Sequence, residues 1–325
     1  MSDISDAREA GNLASHTGSR PLVSIICPVF NEEDSIPVFF GRLEAALAAQ
    51  RDSYDFELIF TNNDSTDASL ARILEIRDVH PWVGVVTLAR NFGYQKSLMA
   101  GLRQARGDAF IAIDVDCEDP PEMIPEFLAR WKDGVDLVYG ERRERPEPLI
   151  MRGFRKAFYR VTKRIADGDF ILDMAEFSLF SRDIRDVILA NNSTSPFIRN
   201  EIAYAGHKRV AIPYARQARV GGKTKYNFYG NFLFAAAGML SSSTFPLRLL
   251  VYAGVPLLVL DLVGGIYLVA DPDLQLVVGL IFLNFFFLVL SCISIGMYVA
   301  RMYKDIVQRP LFVVDRRRTY IATED

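Results

Sequence analysis

Asp114-Val115-Asp116 is the stretch of this 325-residue chain whose residue types could most directly do chemistry. It follows the apolar run Ala109-Phe110-Ile111-Ala112-Ile113 and leads into Cys117-Glu118-Asp119-Pro120-Pro121. The run has the length and composition of a buried strand, and the two prolines end it. Side chains two apart on an extended segment share a face, so Asp114 and Asp116, with Glu118 as a third candidate, are expected to point at one spot. Three hard oxygen donors together suit Mg²⁺ or Mn²⁺. A metal held there could neutralise a diphosphate. The triplet alone is a weak signal, because Asp167-Gly168-Asp169 and Asp271-Pro272-Asp273 have the same form without a buried strand before them.

The elements around this stretch give it context. From Pro21 to about Gly140 the hydrophobic pattern alternates between two periods. Strands are expected at Leu22–Val29, Phe56–Thr61, Trp82–Leu88, the run before Asp114, and Val135–Tyr139. Helices are expected at Asp34–Gln50, Asp67–Asp78, Tyr94–Arg106 and Pro121–Lys132. Such alternation implies an α/β fold with a mainly parallel sheet covered by helices on both faces. Ligands of these sheets bind at the C-terminal ends of the strands. Pro28 to Glu32, Asn62-Asn63-Asp64, and Asp114 with Asp116 all fall at such ends.

Beyond this region the character changes twice. Residues 141–164 hold nine Arg or Lys against three Glu, with Phe154, Phe158 and Val161 on an apolar side. A basic amphipathic helix of this kind lies on an anionic membrane surface or simply presents a solvated face. Two long apolar segments follow, Leu249–Ala270 broken by Asp261 and Leu274–Ala300 carrying Asn284. At about 1.5 Å per residue each is long enough for a hydrocarbon core of about 30 Å. The connecting Asp271-Pro272-Asp273 has no basic residue, whereas Arg248, Arg301, Lys304, Arg309 and Arg316-Arg317-Arg318 flank the outer ends. The positive-inside rule then places both ends in the cytoplasm. Asp261 is costly in lipid and is expected to face Asn284 or a subunit partner.

The divisions expected are a disordered tail at 1–20, a cytoplasmic domain at 21–227, an interfacial helix at 228–246, a transmembrane hairpin at 247–300 and a cytoplasmic C-terminal tail at 301–325. Residues 1–20 have no apolar core of a signal peptide. The net charge of −3 argues against a general nucleic-acid binder. Cys27, Cys117 and Cys292 form no Cys-x-x-Cys pair, as suits reduced thiols in a cytosolic globular part.

Several motifs stand in a telling order: Cys27-Pro28-Val29-Phe30-Asn31-Glu32-Glu33, Asn62-Asn63-Asp64-Ser65-Thr66-Asp67, Ala89-Arg90-Asn91-Phe92-Gly93-Tyr94-Gln95, the Asp114 to Glu122 stretch, Arg219-Val220-Gly221-Gly222-Lys223-Thr224-Lys225-Tyr226, and Arg309-Pro310-Leu311-Phe312-Val313-Val314. With these, residues 21–315 resemble the family-2 glycosyltransferases of GT-A fold. Among them the chain looks like the polyprenyl-phosphate glycosyltransferases, including dolichyl-phosphate mannose synthases and bacterial relatives with two C-terminal transmembrane helices.

The resemblance implies roles. Pro28, Phe30, Glu32, Asn63, Arg90 and Asp114 would bind the nucleotide sugar. Asp114, Asp116 and Glu118 would hold Mg²⁺ or Mn²⁺. Arg219 and Lys225 would close over the phosphates, and Arg142, Arg155 and Lys156 would receive the lipid phosphate. Glu176, or Asp169 as second choice, would be the carboxylate near the acceptor. The implied reaction is inverting, metal-dependent transfer of a hexose from a nucleotide sugar, with UDP-hexose favoured, to undecaprenyl or another polyprenyl phosphate at the cytoplasmic face of a bacterial inner membrane. The implied partners are therefore nucleotide sugar, polyprenyl phosphate, the bilayer and a second copy of the chain. Two departures stand out. Asn62-Asn63 replaces the usual acidic pair, and Glu118 replaces a Gln. Two rival readings are a degenerate nucleotide-sugar or lipid-binding scaffold and a processive polysaccharide synthase. The synthase lacks its Gln-x-x-Arg-Trp motif here, since Arg130-Trp131 has no such Gln and falls too early.

Overall fold

The computed structural model describes residues 20–142, 171, 174–191, 193–219 and 244–321. The expectations on the N-terminal tail, on most of the basic segment and on residues 228–243 lie outside the described residues. So do Arg155, Lys156, Asp169 and Lys225.

Seven strands, β1 (Leu22–Val29), β2 (Asp55–Asn62), β3 (Val83–Thr87), β4 (Ala109–Ala112), β5 (Leu137–Arg142), β6 (Met174–Ser181) and β7 (Arg209–Tyr214), form one sheet in the order β3-β2-β1-β4-β6-β5-β7. All neighbours are parallel except β6, which runs antiparallel between β4 and β5. The expected mainly parallel sheet is therefore present. The helices of the globular part are α1 (Ser35–Ala48), α2 (Ser69–Val79), α3 (Tyr94–Gln104), α4 (Ile124–Lys132), α5 (Arg182–Ala190) and α6 (Ile198–Tyr204).

Burial on both faces explains the near-continuous apolar reading of β1. Val23, Ile25, Cys27 and Val29 pack in a cluster with Phe39, Leu43 and Leu47 of α1. Ile26 belongs to the opposite cluster with Leu98, Met99 and Leu102 of α3. Below the site, Ser24 Oγ donates to Glu57 at 2.5 Å, and the Arg106 N–H donates to the same carboxylate at 2.7 Å. This buried network ties the N-terminal ends of β1 and β2 to the turn before β4.

Several differences from the sequence pattern matter for the site. β4 ends at Ala112, before the aspartates. The Pro121 helix opens as a 3₁₀ turn, Pro121–Met123, because two consecutive prolines remove the first backbone donors. β5 starts two residues later than expected, at Leu137. Glu176 lies on β6, whose Met174–Ser181 segment is a central strand buried between two neighbours.

Two further helices, α7 (Phe245–Ala270) and α8 (Leu274–Val307), are long and apolar enough to cross a membrane. They pack on each other, with Gly254 against Phe287 and Gly264 against Leu280. As expected, Asn284 Nδ2 donates to Asp261 Oδ1, at 2.8 Å. Their outer faces are bare: Leu258, Val269 and Phe282 are 71%, 87% and 69% exposed. Apolar surface of that extent suits lipid far better than water. At its C-terminal end α8 meets the globular part, where Asp305 Oδ1 accepts from both the N–H and the hydroxyl of Thr194.

The chain after α8 returns to the sheet. Leu311 is buried, and Leu88↔Val314 and Val85↔Tyr320 form antiparallel bridges along β3. The outer edge of β3 is thereby covered, which removes a row of unpaired backbone groups.

Helix α3 lies close enough to the sheet that Gly101 admits no side chain. A Cβ there would meet Ile26 and would come within 2.8 Å of Thr61 Cγ2. Gly101→Ala is expected to cost about 1–3 kcal/mol through overpacking, read as a lowered thermal-unfolding midpoint of the detergent-solubilised protein.

Candidate active site

The C-terminal ends of the parallel strands and the N-terminal end of β6 meet at one edge of the sheet. β1 pairs β2 on one side and β4 on the other, so its C-terminal end lies at the topological switch point where such sheets bind ligands. Phe30, Asn31 and Glu32 follow β1, Asn62 to Asp64 close β2, Arg90 and Asn91 follow β3, and Asp114 and Asp116 follow β4. Ala112 pairs with Ser178, and continuing that antiparallel register sets Glu176 across from Asp114. Arg142 and Tyr214 are direct partners at the ends of β5 and β7.

Local backbone geometry at this edge is unusual. Asn31, Asp64 and Cys117 have φ of 56°, 58° and 59°. Asn and Asp tolerate this left-handed region, whereas Cys does so at a cost. The left-handed turn at Cys117 interrupts the extended chain on which the alternation of Asp114, Asp116 and Glu118 depends. Among the described residues no three His, Cys, Asp or Glu side chains come together as a metal-binding group. Glu118 turns instead to Arg216, with which it forms an ion pair.

The two aspartates remain well placed. Tyr94 donates its hydroxyl to Asp114 Oδ1 at 2.8 Å. Burial, reinforced by Asp116 and Asp119, pushes the Asp114 pKa up to about 7. Desolvation disfavours the charged form first, and the neighbouring carboxylates add to it. Asp116 Oδ1 accepts from the Glu118 N–H at 3.0 Å, and Asp116 Oδ2 lies 3.8 Å from Arg219. Arg219 also pairs with Glu32, and Gln217 donates its N–H to the Glu118 carbonyl at 2.9 Å. Residues 216–219 thus lie over the carboxylates and bring two guanidinium groups to them. Mg²⁺ is commonly held by one or two protein carboxylates plus phosphate oxygens and water, so the donor set of Asp114 and Asp116 fits such an ion.

Beside the aspartates lies a second cluster. Glu176 Oε1 sits 2.9 Å from Arg199 Nε and accepts from Gln95 Nε2 at 3.3 Å. Burial raises the Glu176 pKa, opposed by the charges of Arg199 and Arg142. Gln95 also accepts from the Ile198 N–H at 3.0 Å, which fixes the start of α6 and so the position of Arg199. Asp119 is fully buried and accepts from the Tyr214 hydroxyl and from Arg142 Nη2, the latter at 3.4 Å. Arg142 Nε donates to the same hydroxyl at 3.2 Å. Burial alone would lower the Arg142 pKa, but Asp119 and Tyr214 more than offset it. The guanidinium is therefore a permanent cation with a fixed direction.

The remaining expected residues are placed as follows. Pro28 is buried within β1. Arg90 is exposed, with its guanidinium 4.1 Å from the centroid of the Phe92 ring. Asn63 is buried, and its amide is engaged: Oδ1 accepts from the Phe92 N–H at 2.9 Å and Nδ2 donates to Asn91 at 3.0 Å. Sequence reasoning did not single out Arg199, Asp119, Tyr214 or Tyr94. Asp119 had a visible signal in its place within the acidic stretch before two prolines. Arg199 had none, because only the packing of α6 brings it to Glu176.

The chain is similar to known proteins along most of its length. The sequence profile described as glycosyl transferase family 2 matches residues 24–188. The uncharacterized glycosyltransferase YkcC of Bacillus subtilis (strain 168) is 32% identical over 304 residues, which span 90% of this chain and 93% of that protein. A prophage bactoprenol glucosyl transferase homolog of Escherichia coli (strain K12) is 31% identical over 90% of this chain and 98% of its own length. Among solved structures, glucosyl-3-phosphoglycerate synthase of Mycobacterium tuberculosis with Mn²⁺, uridine diphosphate and phosphoglyceric acid superposes with a TM-score of 0.44 at 18% identity, covering 71% of this chain and 76% of that one.

The Tyr214 hydroxyl links Arg142 to Asp119, so removing it strips a donor from a buried carboxylate. Tyr214→Phe is expected to destabilise the protein by about 1–3 kcal/mol, measurable by urea or thermal unfolding in detergent. An unchanged midpoint would show that the contact contributes nothing.

Proposed function

The chain belongs to glycosyl transferase family 2, and on that premise we propose that it moves a hexose from a nucleotide sugar, a UDP-hexose, to a polyprenyl phosphate such as undecaprenyl phosphate at the cytoplasmic face of a bacterial inner membrane. The observation that carries this reading is one sheet edge that combines the Asp114–Asp116 pair with Arg142, Arg199 and Glu176. The membrane-length hairpin supports a lipid acceptor. So does the contact of α8 with the globular part through Asp305, since its partner Thr194 lies just before α6, which carries Arg199.

The proposed reaction is a single displacement with inversion. An oxygen of the lipid phosphate forms a bond to the anomeric carbon as the bond to the nucleoside diphosphate breaks, and the nucleoside diphosphate leaves as an anion. A phosphate monoester has its second pKa near about 6 and is already largely anionic at neutral pH, so a strong base is unnecessary. The chief obstacle is repulsion between two phosphate groups. Arg142, held by Asp119 and Tyr214, and Arg199, held by Glu176, lower it by binding the acceptor. Glu176, whose pKa is raised by burial, takes the remaining proton of a monoanionic phosphate.

On the donor side, Asp114 and Asp116 would hold Mg²⁺ or Mn²⁺, which supplies positive charge to the diphosphate leaving group. Glu118 would stay with Arg216. Arg219 would exchange its contacts with Glu32 and Asp116 for the diphosphate, aided by Lys225, while Phe30, Glu32 and Arg90 border the nucleotide. Arg155 and Lys156 would extend the cationic path for the lipid phosphate. The basic flanks of the hairpin favour both chain ends in the cytoplasm.

Turnover is tested with detergent-solubilised protein, labelled nucleotide sugars and polyprenyl phosphate under Mg²⁺ or Mn²⁺. Lipid-linked sugar is expected with at least one donor, and its absence with all of them would sink the reading. Asp116→Ala is expected to lower turnover by about 10²-fold or more while membrane insertion stays intact. Full activity in that variant, or in the presence of excess EDTA, would remove the metal assignment.

A further inference from the structure

Asn63 occupies the position where the resemblance implies contact with the nucleoside, yet its side chain is committed elsewhere. Its amide oxygen accepts from Phe92, its amide nitrogen donates to Asn91, and the residue is 4% exposed. It joins the loops after β2 and β3. The next residue differs. Asp64 stands in the left-handed region with φ 58°, and its side chain is 35% exposed. It is the only acidic residue of Asn62-Asn63-Asp64.

Asp64 is also held from an unexpected direction. Arg318 reaches Asp64 Oδ1 with Nη1 at 3.3 Å and Nη2 at 3.2 Å, while its Nε donates to Asp315 Oδ2 at 2.7 Å. The backbone around Arg318 is itself anchored on β3. Thr87 Oγ1 donates to the Arg318 carbonyl at 2.6 Å, the Asp315 N–H to the Thr87 carbonyl at 2.8 Å, and the Ala89 N–H to the Val313 carbonyl at 2.8 Å. The segment after α8 therefore braces both loops that flank the end of β2. Covering the β3 edge requires only the backbone bridges. It does not require a guanidinium with two hydrogen bonds to a loop carboxylate and a third that fixes it on Asp315.

We infer that Asp64, oriented by Arg318 from the C-terminal segment, is the carboxylate that accepts hydrogen bonds from the N–H or O–H groups of the donor's nucleoside. The inference rests on the nucleotide-sugar reading above. Two carboxylate lone-pair directions remain beyond the Arg318 contact, and the group sits on the same strand-end edge as Asp114 and Glu32. The neutral Asn62-Asn63 pair is then a displacement of the acidic function by one residue, not its loss. Arg318 is a positioning residue, and the C-terminal segment forms part of the donor site.

The test uses the full-length protein in detergent. Calorimetric titrations with UDP and with GDP, each with Mn²⁺, identify the better nucleoside diphosphate, and Mn²⁺-pyrophosphate serves as the probe without a nucleoside. Asp64→Asn retains a residue tolerant of the left-handed conformation. It is expected to weaken the better nucleotide about tenfold and to leave pyrophosphate unchanged. Arg318→Ala is expected to act in the same direction, with Arg318→Lys restoring part of the affinity. In turnover, KM for the donor rises while kcat and KM for the lipid phosphate hold. A 2′,3′-dideoxy analogue of the nucleotide locates the partner group: a substitution effect that vanishes with it assigns the ribose, and one that persists assigns the base. Wild-type nucleotide affinity in both Asp64→Asn and Arg318→Ala overturns the inference, as does an equal loss for pyrophosphate. If the wild type transfers sugar under those conditions, only the Asp64 assignment falls. If it binds neither nucleotide, the donor reading falls with it.

Discussion

Crowded negative charge at one edge of a mainly parallel sheet is the constraint on which the rest of the site depends. The topology delivers the loops after β1, β2 and β4 to the same place, and each carries carboxylates or amides. Burial, with Asp116 and Asp119 adding to it, pushes Asp114 toward neutrality. Such an arrangement persists only with compensating cations. Arg142 answers Asp119, Arg199 answers Glu176, Arg216 answers Glu118, and Arg219 answers Glu32 and Asp116. In the proposed reaction the same arginines would bind the anionic substrates, so that charge balance in the ligand-free protein and charge recognition of ligands would use one set of side chains.

This balance also distinguishes the two halves of the edge. On the proposed acceptor side the cations are fixed: Arg142 is bound by Tyr214 and Asp119, and Arg199 follows from α6, whose start is pinned by Gln95. On the proposed donor side the cations come from residues 216–219, a segment outside any helix or strand. Rigid elements hold a geometry, whereas a loop can exchange one set of partners for another. In the proposed reaction the fixed half would aim the lipid phosphate, and the loop half would let the diphosphate enter and leave.

The membrane hairpin and the site are connected by short paths. Asp305 near the end of α8 bonds Thr194 in the loop before α6, and the segment beyond α8 runs along β3 toward Asp64. Both contacts place the C-terminal end of the hairpin against the globular part. Inside the hairpin, the Asp261–Asn284 hydrogen bond satisfies two polar groups that lipid would leave costly.

The sequence by itself determined the alternating elements, the strand-end position of the aspartates, the two apolar helices and Asn284 as one of two candidate partners for Asp261. These follow from local periodicity, apolar length and composition, which a single chain displays directly. Only the tertiary structure decided which side chains converge. Glu118 pairs with Arg216 beyond a left-handed turn at Cys117, a backbone angle that no pattern announces. Arg199 joins Glu176 because α6 packs there, and Asn63 is spent on Asn91 and Phe92 because two loops meet. Arg318 reaches Asp64 across an |i−j| of 254 residues, since an antiparallel return along β3 brings together positions that sequence spacing cannot relate. Local pattern carries information over a few residues, whereas a site is assembled from loops whose proximity is set by sheet order and packing.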